Sequence, residues 1–309
     1  MSKTIRAAVV QTVSIAYQPE ATIEHLAELA AEAGQNGAQL AVFPEAFIGG
    51  YPKGATFDTP VGYRTPEGRE SYQAYFDGAI EVPGSHTRRL EEIARETGVF
   101  LVVGVIEKEI GTLYCTVLFV DPEQGLIDKH RKLMPTGAEK LIWGFGDGST
   151  LPVIDHSLGR IGAVICWENY MPMMRMAMYA KNIQIYCAPT ADARDSWVST
   201  MQHVALEGRC FVLSSCQYLT RGDFPDDYRC ELGDDPATEL LRGGSMIIDP
   251  LGNILAGPHY GEKTILYADL DLDVITQGKY DFDVVGHYAR PDVFQLKVDE
   301  KPKNAVTRY

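Results

Sequence analysis

GRIGAVICWENY, residues 159–170, carries a short apolar run straight into a cysteine, a tryptophan, a glutamate and an asparagine. Such a run bounded by glycine and polar residues is the pattern of a buried strand. Cys166 would then stand where the chain leaves a sheet. A cysteine there can be buried packing, half of a disulfide, or a nucleophile, and the rest of the chain decides which. The residues that follow, 171–180, read as a helix. IQIYCAP (183–189) reads as the next strand, 195–209 as a helix, and CFVLSSCQY (210–218) as a further strand. GSMIIDPLGNILA (244–256) has the form of two strands about a PLGN turn, and TILYADLDLDVI (264–275) of a strand and a short helix.

The first half of the chain runs in a similar order. IRAAVVQ (5–11) is a buried strand, and residues 20–35 place Ala, Leu and Glu at helical spacing. LAVFPEAF (40–47) is a strand that ends at Pro44, because proline cannot donate to a sheet ladder. Residues 48–79 are rich in Gly, Pro and Tyr and read as an elaborated loop. A helix is expected over 84–97, with Ser85 or Thr87 as its cap. VFLVVGVIEKE (99–109) and TLYCTVLFVDPEQG (112–125) are strands, the second closing in a turn. HRKLMP (130–135) leads into a polar, glycine-rich stretch through Ser149. Residues 220–241 read as a charged surface excursion. The likeness of the two halves, with no break in composition, predicts one α/β domain over residues 1–285, built as two stacked sheets with helices outside. Residues 286–309 are expected to form a C-terminal arm.

Composition narrows the function. The 309 residues are 45% hydrophobic and carry 28 basic against 42 acidic side chains, a net charge of −14. A general nucleic-acid surface is not expected from that balance. The opening residues lack a secretory pattern, and no apolar run reaches the length of a membrane span. The six cysteines include no CxxC pair and are expected to be reduced thiols in a cytoplasmic setting. Seven scattered histidines provide no metal-ligand spacing. GFGDG (144–148) resembles an anion cradle but lacks the Lys and Ser/Thr of a phosphate loop, so neither cofactor nor metal is expected.

Three residues fall at strand ends or just beyond: Glu45, Lys132 and Cys166. A thiol nucleophile needs a base, a buried carboxylate can move protons, and an ammonium can stabilise charge developing at the attacked carbon. The backbone N–H of Trp167 could do the same at a helix start. Each residue also has an ordinary reading: packing for Cys166, a cap or ion pair for Glu45, a surface turn for Lys132. His156 is a weaker candidate base, and His130 and His203 read as ordinary polar or packing residues.

VFPEAFIGGYPKG (42–54), KHRKLMPTGAEK (129–140) and GAVICWENYMP (162–172) resemble the motifs of the nitrilase branch of the carbon-nitrogen hydrolase superfamily. WGFGDGS, APTADARDSW, HVALEGRCFVLSSCQ, GGSMIIDPLGNILAGP and VGHYARPDV extend the resemblance across nearly the whole chain. The resemblance implies a four-layer αββα sandwich. It also implies Glu45 as base, Lys132 as stabiliser and Cys166 as nucleophile, with Glu139 as a second supporting glutamate. Phe145 stands where the family has glutamine. The implied reaction converts a small-molecule nitrile to acid and ammonia through a cysteine thioimidate and thioester. Rival readings are a nitrile or cyanide hydratase releasing the amide, an amidase or carbamoylase, and a non-enzymatic assembly scaffold. Self-association to a dimer and a larger spiral or helical assembly is implied as well. Tyr51, Trp143, Tyr170 and Trp197 are expected pocket-lining aromatics, each with core packing as the alternative.

Overall fold

The computed structural model describes residues 4–304 and 306. β1 (Thr4–Gln11), α1 (Pro19–Gln35), β2 (Leu40–Val42), α2 (Pro66–Asp77), α3 (Ser85–Thr97), β3 (Phe100–Glu109), β4 (Thr112–Asp121) and β5 (Gly125–Arg131) make the first half. β6 (Val153–His156), β7 (Gly159–Ala163), α4 (Pro172–Ala180), β8 (Ile185–Thr190), α5 (Asp195–Gly208), β9 (Phe211–Cys216), β10 (Tyr218–Thr220), β11 (Glu239–Ile248) and β12 (Ile254–Tyr260) make the second. β13 (Thr264–Asp271) then returns to the first sheet beside β1, and α6 (Asp273–Asp281) follows.

The first sheet has the order β13-β1-β2-β3-β4-β5. The second runs β10-β11-β9-β8-β7-β6, with β12 paired to β11. Both sheets are mixed, and each has a parallel trio at its centre: β1, β2 and β3 in one, β7, β8 and β9 in the other. Side-chain alternation builds the layers. Ala7, Val9, Leu40, Val42, Phe100 and Val102 face Ile161, Ala163, Ile185, Cys187, Phe211 and Leu213 across the seam between the sheets. The alternate positions, such as Ala8, Val10, Ala41 and Leu101, pack under α1 and α3. Val164, Tyr186, Ala188 and Val212 pack under α4 and α5. Strands buried on both faces read as continuous apolar runs, and the result is an αββα sandwich.

Several local expectations change. The loop expected over 48–79 contains α2, whose N-terminal signal is Thr65 accepting from Gly68 N at 2.9 Å with Pro66 in the first turn. GLIDKHR (125–131), for most of which the sequence predicts no element, is the strand β5, paired antiparallel to β4. His156, the weaker candidate base, is the last residue of the strand β6. α3 is capped through Thr87, whose hydroxyl accepts from Gly84 N at 2.9 Å, and not through Ser85. The excursion at 220–241 is anchored, since Phe224 and Tyr228 stack at 3.9 Å between ring centroids and are buried. β11 takes over from Glu239. The described part of the arm from residue 286 carries no helix or strand. Residues 305 and 307–309 of that arm lie outside the described residues. Lys303 N donates to Asp147 at 2.7 Å, and Asp299 O sits so close to Gly148 that a Cβ there would be 2.1 Å from it.

Candidate active site

Glu45 leaves β2 through the turn begun by Pro44. Ala46 takes a positive φ of 50°, and the turn presses against Gly104 of β3. A Cβ at residue 104 would lie 2.1 Å from Pro44 O and 2.8 Å from Glu45 Cα, so only glycine admits this approach. Gln217, at the end of β9 on the opposite sheet, donates to Glu45 O at 3.0 Å. Lys132 follows β5 and is held by backbone bonds from its N–H to Cys115 O (2.8 Å) and from Gly146 N to its carbonyl (2.8 Å). Both side chains are fully buried.

Lys132 Nζ donates to Glu45 Oε1 at 2.6 Å and to Glu139 Oε2 at 2.8 Å, and lies 5.5 Å from the centroid of the Trp143 ring. Glu139 occupies a short 3-10 turn (Gly137–Leu141). Its Oε2 also accepts from Thr136 N at 2.6 Å, and its Oε1 from the Tyr51 hydroxyl at 2.7 Å. Glu45 Oε1 further accepts from the Cys115 thiol at 3.6 Å. Glu45 Oε2 has no hydrogen-bond partner among the described residues.

Cys166 opens a 3-10 turn (Cys166–Tyr170) at the end of β7, with a φ of 50°, a region that costs any side chain about 1 kcal/mol or more. Asn169 Nδ2 holds that conformation by donating to Cys166 O at 2.8 Å and Val164 O at 3.0 Å. The Thr190 hydroxyl donates to Cys166 Sγ at 3.2 Å. The sulfur thus projects from one sheet toward the carboxylate and ammonium carried by the other.

The electrostatics are those of an under-neutralised buried cluster. Burial pushes the Glu45 carboxyl up, against the pull of Lys132, and the charge of Glu139 adds to the rise, while the nearby Cys166 thiol eases its ionisation. Burial, then the charge of Glu45, raises the Cys166 thiol well above its ordinary value, with Lys132 and Thr190 opposing. Burial works against the Lys132 ammonium, but Glu45, Cys166 and Glu139 hold it well above the usual lysine range. Such a thiol rests protonated, so it needs a base at the moment of attack, and the Glu45 carboxylate is the base at hand.

A cavity of about 460 Å³ opens above this cluster, lined by Tyr51, Lys53, Glu139, Cys166, Trp167 and Asp192 among others. Trp167 is half-exposed at its rim. The indole N–H donates to Asp192 at 2.8 Å, and Arg194 lies over the ring at 4.8 Å while pairing with the same aspartate. Of the four aromatics expected to line a pocket, only Tyr51 does. Trp143 is buried behind Lys132 and donates to the Tyr75 hydroxyl at 3.1 Å. Trp197 is core packing on the buried face of α5, its N–H donating to Ser214 at 2.9 Å. Tyr170 is not on the wall either, bracing Trp167 edge-on at 5.6 Å. Phe145 is exposed beside the loop that holds Lys132. His156 pairs with Asp121 at 2.8 Å and has no place here. Thr190, Gln217, Asp192 and Gly104 were missed. Thr190 and Gln217 do sit at the ends of apolar strands as the three candidates do, which was the available signal. Among the described residues no cluster of side chains could hold a metal ion.

Residues 6–280 match the carbon-nitrogen hydrolase family model. The chain is 62% identical over 301 residues to an aliphatic nitrilase of Sinorhizobium fredii, covering 97% of each chain. It is 60% identical over 304 residues to the nitrilase blr3397 of Bradyrhizobium diazoefficiens, covering 98% of this chain and 95% of that one. Its fold superposes on a carbon-nitrogen hydrolase from Helicobacter pylori with a TM-score of 0.74 at 20% identity, over 94% of this chain and 97% of the other. With a buried cysteine beside a Glu–Lys network and relatives this similar along nearly its whole length, the chain belongs to the carbon-nitrogen hydrolase family and, within it, is an enzyme of the nitrilase branch.

Proposed function

We propose that the enzyme hydrolyses an organic nitrile, of aliphatic type in the first instance, to the carboxylic acid and ammonia, with Cys166 as nucleophile, Glu45 as proton carrier and Lys132 as stabiliser. The observation that carries this reading is the single ammonium of Lys132 held between Glu45 and Glu139 below a cavity whose floor includes the Cys166 sulfur. Cys166 Sγ adds to the nitrile carbon, its proton passes through Glu45 to nitrogen, and a thioimidate forms. Water, deprotonated by Glu45, adds to the thioimidate carbon. The tetrahedral carbon then bears sulfur, oxygen and nitrogen. Lys132 and the backbone N–H of Trp167 stabilise its charge. Protonated nitrogen leaves as ammonia and a thioester remains. A second water, activated in the same way, releases the acid and returns the proton to sulfur. Glu139 holds Lys132 in place and, through the Tyr51 hydroxyl, shapes the wall that faces the substrate.

The tetrahedral species has a second exit. If sulfur leaves instead of nitrogen, the amide is released, and about 1.4 kcal/mol between the two barriers changes the ratio tenfold. The deciding experiment is a panel of aliphatic, aromatic and arylacetonitriles and their matching amides, with acid, amide and ammonia all measured. Acid and ammonia in equal amounts from a nitrile support the reading. Amide alone, or turnover of amides without nitriles, overturns it.

We also infer a cytoplasmic enzyme that self-associates. Six free thiols and the absence, among the described residues, of any helix long and apolar enough to cross a membrane accord with the first. The exposed side chains of Tyr288 and Phe294 on the C-terminal arm favour the second. Light scattering of the full chain and of one ending at Gly286 tests it: a smaller particle after truncation is expected, and an unchanged one overturns the role given to the arm.

A further inference from the structure

Two polar side chains buried beside the site take no part in the chemistry above. His130 is the penultimate residue of β5, two residues before Lys132. Glu168 is the third residue of the Cys166 turn, and each side chain is completely out of water. His130 Nδ1 lies 2.5 Å from Thr150 O, and Nε2 lies 2.9 Å from Glu168 Oε2. A carbonyl oxygen only accepts, so Nδ1 carries a proton. Glu168 Oε2 also accepts from Ile165 N at 2.9 Å, and Oε1 from Leu133 N at 2.6 Å. At 2.9 Å a proton lies between Nε2 and Oε2, and the charge and hydrogen bond of Glu168 favour its residence on the imidazole. The pair is an imidazolium–carboxylate ion pair, and although burial opposes it, the Glu168 charge and hydrogen bond raise the proton affinity of His130.

The two amides that Glu168 grips are informative. Leu133 directly follows Lys132, and Ile165 directly precedes Cys166. Lys132 is carried by the first sheet and Cys166 by the second. One carboxylate therefore ties the backbone at the ammonium to the backbone at the thiol. His130 fixes that carboxylate from a third side and anchors it to the loop at Thr150. Neither side chain is among the residues lining the cavity.

We propose that Glu168 and His130 are positioning residues that set the distance between the Lys132 ammonium and the Cys166 sulfur. The consequence for turnover rests on the nitrilase reading given above. A misplacement of about 1 Å can cost roughly a hundredfold in rate. Glu168→Gln keeps the volume but leaves only one accepting oxygen for two amides and an imidazolium. His130→Gln is milder, because its amide can still reach one of the two partners.

The test uses the full-length enzyme and both variants, with two readouts. In steady state on the best nitrile of the panel, kcat should fall roughly ten- to a hundredfold for Glu168→Gln and less for His130→Gln. KM should stay within about threefold of the parent, and the double variant should be no slower than Glu168→Gln, since the two residues act as one unit. In the absence of any substrate, iodoacetamide labelling followed by mass spectrometry should show slower alkylation of Cys166 in both variants. The rate at half-buried Cys230 should not change. This second readout holds even if no nitrile is turned over, so failure of the nitrilase reading and failure of the positioning reading are separable. Parental kcat and parental Cys166 alkylation in both variants overturn the proposal. So does new reactivity of the buried Cys187, Cys210 and Cys216 alongside Cys166, which would mark a general support of the fold.

Discussion

Glu45 and Glu107 are both carboxylates with essentially no exposure, each with a lysine nitrogen at 2.5 to 2.6 Å. Their proton affinities nevertheless move in opposite directions. Glu107 on β3 sits against the last residues of β5. Oε1 takes Lys129 at 2.5 Å and Arg131 at 2.6 Å, while Oε2 takes Arg131 Nε and the Thr116 hydroxyl, both at 2.9 Å. Burial raises its carboxyl, but these partners outweigh burial and hold it below the usual range. Glu45 shares one ammonium with Glu139 and has an oxygen left over, so burial prevails. A fully matched buried charge is inert and serves the fold, whereas an under-matched one stays ready to exchange a proton.

That contrast can be broken experimentally. The largest effect is expected at the thiol it serves: Cys166→Ala should leave less than about one-thousandth of parental turnover with an unchanged circular dichroism spectrum. Retained turnover would remove the nucleophile from the mechanism. Glu45→Gln should lower kcat by roughly 10²–10⁴ while the melting temperature stays near the parent value, because the amide oxygen still accepts from Lys132. Glu107→Gln should behave in the reverse way. Its kcat at 25 °C should stay within about twofold, while urea unfolding should show a loss of about 2 kcal/mol. That figure lies below the usual cost of breaking a buried pair because Lys129 and Arg131 are partly exposed. If both variants lost rate, or both lost stability, the distinction between the two carboxylates would collapse.

The smallest effect is on pH. A depressed folded-state carboxyl stabilises the fold above its unfolded pKa, and that contribution disappears as pH falls through the lower folded value. The stability gap between the parent and Glu107→Gln should therefore be full at neutral pH and narrow below about pH 4.5. A gap that widened on acidification would contradict the assigned direction.

The sheets and three site residues were legible in the sequence because strands buried on both faces leave long apolar runs whose ends are unmistakable. Glu45 after LAVFP and Cys166 after IGAVI stand out on that ground, and Lys132 by its motif. β5 was not legible, since GLIDKHR has two apolar residues followed by four polar or charged ones at a sheet edge, with no strand periodicity until β4 is seen beside it. α2 carried its signal in Thr65-Pro66, obscured by the surrounding Gly and Pro. Trp143 and Trp197 were misplaced because the size of an indole predicts burial without saying which side of a wall it faces. The Glu168–His130 pair joins residues 38 apart on different sheets, and no local spacing announces such a contact.

Because the sulfur rides on one sheet and its proton acceptor on the other, the apolar seam between them is part of the catalytic ruler. Swapping a side chain in that seam for a larger or smaller one, many ångströms from any reacting atom, changes the spacing of the two jaws. Hydrostatic pressure, which acts on imperfectly filled volume, offers a dial for the same spacing without altering a single residue, and turnover should respond to it well before the molecule unfolds.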